Sequence, residues 1–145
     1  MWNRHTIIEK IKVAADRFGS NNPQQLKQLT LICEKSPEEE VFFGLLSFFY
    51  DESLQDNEFE RQQLSGRMLL RISPASALEL EGSIYAVAKF WDYSVEELPW
   101  YWCRTFGKEN VTNCLNDILS DCVEEELVRS IKTMLFWCKR YKNGT

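Results

Sequence analysis

Apolar residues recur along the chain at the three- and four-residue spacing of an amphipathic α-helix. The first such run extends from Thr6 to Phe18 and is followed by Gly19, a residue type that commonly ends helices. Asn22 and Pro23 then have the residue types preferred at the N-cap and at the first position of a helix. The pattern predicts two short helices that pair as an antiparallel hairpin.

Two later segments have the spacing of a capping box, in which a serine and a glutamate three residues apart each accept from an unpaired backbone amide. The two pairs are Ser36 with Glu39 and Ser94 with Glu97. We therefore expect a third helix to begin at Ser36 and to include the apolar run 41–50. A later helix is expected to begin at Ser94.

The other periodic runs complete the predicted set of helices. They indicate a helix over roughly 58–72, another that opens at Pro74, a short one after Gly107 and a long last helix. No convincing strand pattern is present. The chain is therefore predicted to be all-α, with about eight short helices in stacked antiparallel hairpins, as a HEAT-like superhelix or an irregular bundle.

Length and composition bound the number of domains. The chain has 145 residues, of which 44% are hydrophobic and 27% are charged, as is typical of a folded protein with one core. We expect a single helical domain over 1–145, with flexible ends at 1–5 and 142–145.

The chain is acidic, with a formal net charge of −5, and this charge bears on whether it binds nucleic acids. Nucleic acids are bound by clustered Lys and Arg, so an acidic chain of this kind is not expected to bind them. The longest apolar run, 41–50, is much shorter than the roughly 20 residues of a membrane span, so no membrane association is expected. The first residues lack the pattern of a signal peptide, which favours a cytoplasmic protein.

Residue types that support catalysis or metal binding are scarce. The five cysteines form no CxxC pair, and the one histidine, His5, lies close to the N-terminus. Nothing in the sequence places His5 beside a cysteine nucleophile. A carboxylate pair acting as general acid and base would need a cleft and a raised pKa, and the sequence shows neither. We expect no enzymatic activity, no cofactor and no metal.

Acidic residues form four clusters, and three of these fall at predicted helix N-termini. A carboxylate there interacts favourably with the helix dipole, by about 0.3–1 kcal/mol, and contributes to solubility. The alternative is an acidic surface that binds a cationic partner. The clusters are Glu38–Glu40, the acids within 51–60, Asp92 with Glu96 and Glu97, and Glu124–Glu126.

Consecutive aromatic residues at 100–102 cannot all face one core, because successive helical positions are about 100° apart. At least one is expected near the surface, either as an anchor for a partner or at the edge of the core.

The predicted helix 58–72 carries three arginines, Arg61, Arg67 and Arg71. They are expected to form intramolecular ion pairs that individually contribute little.

Two segments in the middle of the chain carry a likeness to known proteins. They are Asp92–Tyr101, continued by Arg104, Phe106 and Gly107, and the earlier segment 59–70. Both resemble small bacterial helical proteins with HEAT-like hairpins, among which are immunity proteins of contact-dependent growth inhibition systems. The resemblance implies a cytosolic inhibitor that binds the toxin domain of a neighbouring cell's effector, commonly a nuclease, and it implies no catalytic residues.

The expected function is therefore non-enzymatic binding of a basic toxin domain by an immunity protein. An acidic surface speeds association with a basic active site, and aromatic side chains hold the complex. A HEAT-like adaptor that binds proteins without inhibiting them is the alternative, and a cysteine or carboxylate hydrolase is the third hypothesis. The residues expected to contact the partner are Glu58, Glu60, Asp92, Glu96, Glu97, Trp100 and Trp102.

Overall fold

The computed structural model describes residues 1–143, which form eight α-helices and no β-strand. Two short 3-10 turns, Ser47–Phe49 and Glu52–Leu54, lie between the third and fourth helices. The helices are α1 Arg4–Phe18, α2 Pro23–Glu34, α3 Glu38–Leu46, α4 Glu58–Ile72, α5 Leu80–Val87, α6 Glu97–Phe106, α7 Lys108–Asp121 and α8 Glu125–Arg140. The predicted all-α class is confirmed.

The predicted ends of the first hairpin agree with local hydrogen bonds. Gly19 has a φ of 74° and donates its N–H to the carbonyl of Ala15, which closes α1. Asn22 accepts a bond of 3.1 Å from the amide of Gln25, and Pro23 is the first residue of α2. These ends were predictable because neighbouring residues alone determine them.

Neither predicted capping box forms. The hydroxyl of Ser36 accepts from the amide of Trp2 and donates to the carbonyl of Ile32, so α3 begins two residues later without a side-chain cap. Ser94 donates its amide and its hydroxyl to the carboxylate of Asp92. This tight turn delays the start of α6 to Glu97.

The expected helix start at Pro74 is also wrong. Ser73 ends α4 in a left-handed conformation with a φ of 51°, and the chain stays irregular until Leu80. The carbonyl of Pro74 accepts a bond of 2.7 Å from the buried hydroxyl of Tyr101. A tertiary contact to α6 therefore holds this segment outside a helix.

The central helix is α4, which packs against α1, α2, α3 and α6. On the other side of α6, α7 and α8 pair with each other and with α6. In a superhelix of stacked hairpins each unit contacts only its neighbours along the chain. The contacts of α4 with α1 and α6 fit the irregular bundle instead.

Several buried residues of α4 are polar, and each is bonded to a neighbouring segment. The hydroxyl of Ser65 donates to the carbonyl of Leu45 in α3. The guanidinium of Arg61 donates through Nε and Nη2 to Asp16 in α1, at 3.0 and 2.7 Å, and through Nη1 to the carbonyl of Leu54. These bonds fix the position of α4 relative to its neighbours, because an unpaired buried polar group is costly.

A glycine lets α4 and the start of α6 lie close together. A Cβ atom at Gly66 would lie 3.0 Å from Cβ of Glu97 and 3.2 Å from Cγ1 of Val95. Both distances are shorter than ordinary van der Waals contacts. The glycine therefore allows Glu97 to lie beside α4.

The two ends of the chain were expected to be flexible. At the N-terminal end, 1–5, Trp2 is bonded to Ser36 and Arg4 forms an ion pair of 2.6 Å with Glu40. Of the C-terminal end, 142–145, residues 144 and 145 lie outside the described residues. Among the described helices, none has both the length and the apolar character needed to cross a bilayer.

Candidate functional site

The residues predicted to contact a partner do not share one surface. Glu58 and Asp92 line one groove, whereas Glu97 and Trp100 line a separate cleft. Trp102 lies in the hydrophobic core. The structure therefore places the predicted residues on two candidate surfaces, with Trp102 in the core, whereas Glu60 and Glu96 are half-buried and line neither surface.

Trp102 is not available to a partner, contrary to the prediction. Its side chain is 1% exposed and Tyr101 is fully buried, whereas Trp100 is half-buried. The three side chains diverge by about 100° from one position to the next. Because α6 lies between α4 and the pair of α7 and α8, two of these directions meet the core.

Glu60 does not join Glu58, although the two residues are close in sequence. Their side chains are about 200° apart around α4 and so lie on different faces. Oε2 of Glu60 accepts a bond of 2.6 Å from the amide of Ser20 in the α1–α2 connection. Glu60 therefore holds this connection against α4.

The acidic groove, as we call it, lies between the start of α4 and the segment that joins α5 to α6. Gln62 fixes one wall, because its side chain donates to the carbonyl of Phe90 and accepts from the amide of Asp92, both at 2.8 Å. The groove has a volume of about 560 Å³. Its lining residues are Gln55, Glu58, Lys89, Phe90, Trp91, Asp92 and Tyr93.

The environment of the acidic groove disfavours the ionised form of the Glu58 carboxyl. Partial burial raises the pKa of the Glu58 carboxyl, and the negative charge of Asp92 raises it further. Within residues 1–143, neither carboxylate forms an ion pair. Two carboxylates that lie 34 residues apart in sequence thus line one groove together with Lys89, and neither forms an ion pair with it.

A second, larger cleft lies between α2, α4 and α6, and we call it the arginine cleft. Its volume is about 710 Å³. Arg67 and Arg71 share one face of α4 at a spacing of four residues, which was visible in the sequence. Arg104 lies on α6 and lines the same cleft because α6 packs against α4. No local sequence pattern predicted that it would lie there. The lining residues are Ser20, Asn21, Asn22, Pro23, Leu26, Arg67, Leu70, Arg71, Glu97, Trp100 and Arg104.

Two of the three arginines are held by carbonyl groups. Nη1 of Arg67 donates to the carbonyl of Ser20 and to Oδ1 of Asn21, both at 2.6 Å. Nη1 of Arg104 donates to the carbonyl of Leu70 at 2.6 Å. These bonds orient the guanidinium groups at the edge of the cleft.

Glu97 was expected to be an exposed contact residue, but it is only 7% exposed. Its Oε2 lies 3.4 Å from Nε of Arg67, and its Oε1 has no hydrogen-bond partner among the described residues. Burial raises the pKa of the Glu97 carboxyl, and the charge of Glu96 raises it further, although Arg67 acts in the opposite direction. The neutral form of Glu97 is therefore favoured by the fold.

This raised pKa predicts how Glu97 changes stability with pH. Between the ordinary pKa of 4.5 and the raised value, the folded chain binds more protons than the unfolded chain. The contribution of Glu97 to the free energy of unfolding therefore falls as pH rises through this window. Glu97→Gln is expected to remove that fall and to stabilise the protein at pH 7 by about 1 kcal/mol.

Urea unfolding between pH 4 and pH 8 measures this effect. Glu125→Gln is the matched control, because it removes one negative charge from an exposed position at the start of α8. A Glu97→Gln variant with the same pH profile as the unchanged protein would contradict the prediction.

Outside these two surfaces, the thiols of Cys103 and Cys138 are hydrogen-bonded to each other. No group of three or more His, Cys, Asp or Glu side chains within residues 1–143 is placed to hold a metal ion. The five cysteines are free thiols, of which Cys33, Cys103 and Cys138 are buried. Comparisons of the chain with protein-family models, with curated proteins and with solved structures give no match.

Proposed function

We propose that the chain is a non-enzymatic binding protein that holds a basic protein domain in the acidic groove. The observation that carries this proposal is the position of Glu58 and Asp92 in one groove without an ion pair among the described residues. Repulsion between the two carboxylates raises the free energy of the unbound protein. A lysine or arginine of a partner would relieve that repulsion.

The surroundings of the two carboxylates suit a protein partner. Tyr93 lines the groove, and Phe59, next to Glu58 in sequence, is exposed. Aromatic side chains next to charges are typical of the residues that dominate binding energy at protein interfaces. Here Tyr93 and Phe59 take the role that the sequence had suggested for Trp102.

The specific form of the proposal is an immunity protein that neutralises a toxin, as the resemblance of the middle segments implies. An active site that holds phosphate is basic, so an acidic protein binds it with fast, electrostatically steered association. The protein would then act in the cytoplasm by covering the toxin domain, and no residue of its own would take part in a reaction.

Co-expression with the product of the gene immediately upstream tests this proposal. We expect the neighbouring product to slow growth when it is produced alone, and we expect growth to be restored by this chain with a stoichiometric complex on co-purification. A complex without any loss of the partner's activity would indicate an adaptor instead. A harmless neighbour that forms no complex would remove the immunity proposal.

Charge neutralisation in the acidic groove identifies the binding surface. The double variant Glu58→Gln with Asp92→Asn keeps the shape of both side chains, including the acceptor that Asp92 offers to Ser94. We expect association with the partner to slow about tenfold at low salt and to become less sensitive to salt. Stopped-flow or surface plasmon resonance measurements would give both quantities.

The matched control is Glu125→Gln with Glu126→Gln, which removes the same charge from another exposed helix start. An equal decrease in both double variants would mean that net charge alone steers the partner. That result would assign no special role to the acidic groove.

A further inference from the structure

The arginine cleft has a charge opposite to that of the whole chain. Arg67, Arg71 and Arg104 line it, although the formal net charge of the protein is −5. The one acidic residue among its lining residues is Glu97, which forms an ion pair of 3.4 Å with Arg67. Three arginines and one glutamate leave an excess of positive charge among the lining residues, which an anionic ligand would reduce.

Two of the three guanidinium groups are oriented before any ligand binds. The carbonyls of Ser20 and Leu70 hold Arg67 and Arg104, respectively. Arg71 is exposed, and its guanidinium forms no hydrogen bond or ion pair with another described residue. Groups that are already oriented lose little conformational entropy on binding, which favours affinity.

The other lining residues provide an apolar surface. Leu26 comes from α2, Leu70 from α4 and Trp100 from α6. The indole Nε1 of Trp100 donates to the carbonyl of Trp137 at 2.9 Å, which fixes the plane of the ring. The ring also contacts Trp137 and Tyr141, so the part of Trp100 that lines the cleft is held in place beside the arginines.

Glu97 is a second sign that this cleft has a role beyond packing. The residue is more than nine-tenths buried, lies on the wall of the cleft beside Arg67, and leaves Oε1 without a hydrogen-bond partner in residues 1–143. Native structures pair almost all buried polar atoms, and the exceptions are often found at functional sites. The Gly66 contact brings this carboxyl to the cleft, since any larger residue there would meet Cβ of Glu97.

We propose that the arginine cleft binds a small anionic ligand in which a carboxylate or phosphate group is joined to a flat apolar body. The planar guanidinium group binds either anion through two parallel hydrogen bonds. The apolar body packs on Trp100 between Leu26 and Leu70. The volume of about 710 Å³ lies within the usual range of small-molecule sites. This site is separate from the acidic groove and does not depend on the identity of the protein partner.

Isothermal titration calorimetry of the full chain with four probes tests the proposal. The probes are 2-naphthoate, 2-naphthyl phosphate, the neutral 2-naphthol and inorganic phosphate. We expect the first two to bind with dissociation constants below about 1 mM, and the last two to bind at least about tenfold more weakly. The stronger of the two naphthyl anions identifies the charged group of the natural ligand. Failure of both naphthyl anions to bind would overturn the proposal.

Variants locate the bound probe. Arg71 is exposed, so its replacement should not disturb the core. Arg71→Glu is expected to weaken binding of the better probe by about tenfold or more. Arg129→Glu makes the same change at an exposed position of α8 outside the cleft and is expected to retain binding. Arg71→Gln is the second variant if charge reversal prevents folding, and we expect a smaller loss in the same direction.

Nuclear magnetic resonance supplies a readout within the cleft. The indole N–H resonance of Trp100, assigned with Trp100→Phe, is expected to shift when 2-naphthoate or 2-naphthyl phosphate is added. An unchanged Trp100 resonance with a bound probe would place the ligand elsewhere and refute the proposal. Equal losses of affinity in Arg71→Glu and Arg129→Glu would also refute it.

Discussion

Replacement of Trp102 by alanine is expected to lower the free energy of unfolding by about 3–5 kcal/mol. Trp102 is one of the largest side chains that are fully buried, and its removal would leave a cavity between α6 and its neighbours. Chemical denaturation followed by circular dichroism measures the change as a shift of the midpoint. A side chain that instead contacted a partner from the surface would leave the midpoint nearly unchanged.

Phe136→Ala is the control for Trp102→Ala. Phe136 is also aromatic, but its side chain is 45% exposed on α8. We expect a loss of about 1 kcal/mol or less, since nearly half of the residue is already exposed to solvent. Equal midpoints for the two variants would show that Trp102 is not part of the core.

Asp16→Ala is expected to have the second large effect and to lower the free energy of unfolding by about 3 kcal/mol. The change leaves the guanidinium of Arg61, whose side chain is 7% exposed, without its ionic partner. The value is at the lower end for buried ion pairs because Asp16 is 43% exposed and its charge is partly screened. The midpoint of urea unfolding at pH 7 measures this loss.

A double-mutant cycle separates the ion pair from simple packing. Arg61→Met keeps much of the buried volume and removes the charge, so Asp16→Ala with Arg61→Met is expected to recover most of the stability lost in Asp16→Ala. Additive losses in the double variant would contradict this explanation, because the two residues would then act independently.

The same ion pair predicts that the stability of the protein falls at acidic pH. Hydrogen bonding to Arg61 lowers the pKa of the Asp16 carboxyl below its ordinary value of 3.8, and the bond from Asn57 lowers it further. The resulting stability is present above pH 3.8 and is lost as pH falls through the lowered pKa of the folded state. The Asp16→Ala variant is expected to lack this part of the acid transition.

The sequence predicted those parts of the fold that depend on neighbouring residues. The periodicity of α4 located both of its ends, and Asn22 with Pro23 located the start of α2. Ser36 had an equally suitable local pattern, but its hydroxyl is bonded to Trp2 and Ile32 instead. The predicted capping boxes, and the helix start predicted at Pro74, were wrong because a contact with another segment or a local turn replaced the expected cap.

The candidate surfaces were harder to predict because each combines residues that are far apart in the chain. Glu58 and Asp92 line one groove where Gln62 joins α4 to the segment before α6. Glu97 was interpreted as an exposed helix-start acid, and the glycine at 66 that lets it lie against α4 has no recognisable signal in one sequence. Charge patterns therefore revealed the residue types but not their burial.

The length of α4 separates the two proposed sites. Glu58 is its first residue and Arg71 is near its last, so the helical rise places them about 20 Å apart. This distance exceeds the Debye length of about 8 Å at physiological ionic strength. The charges of Glu58 and Arg71 are therefore largely screened from each other. The two proposals together predict that a cationic protein bound at Glu58 changes the affinity of a small anion bound at Arg71 only slightly.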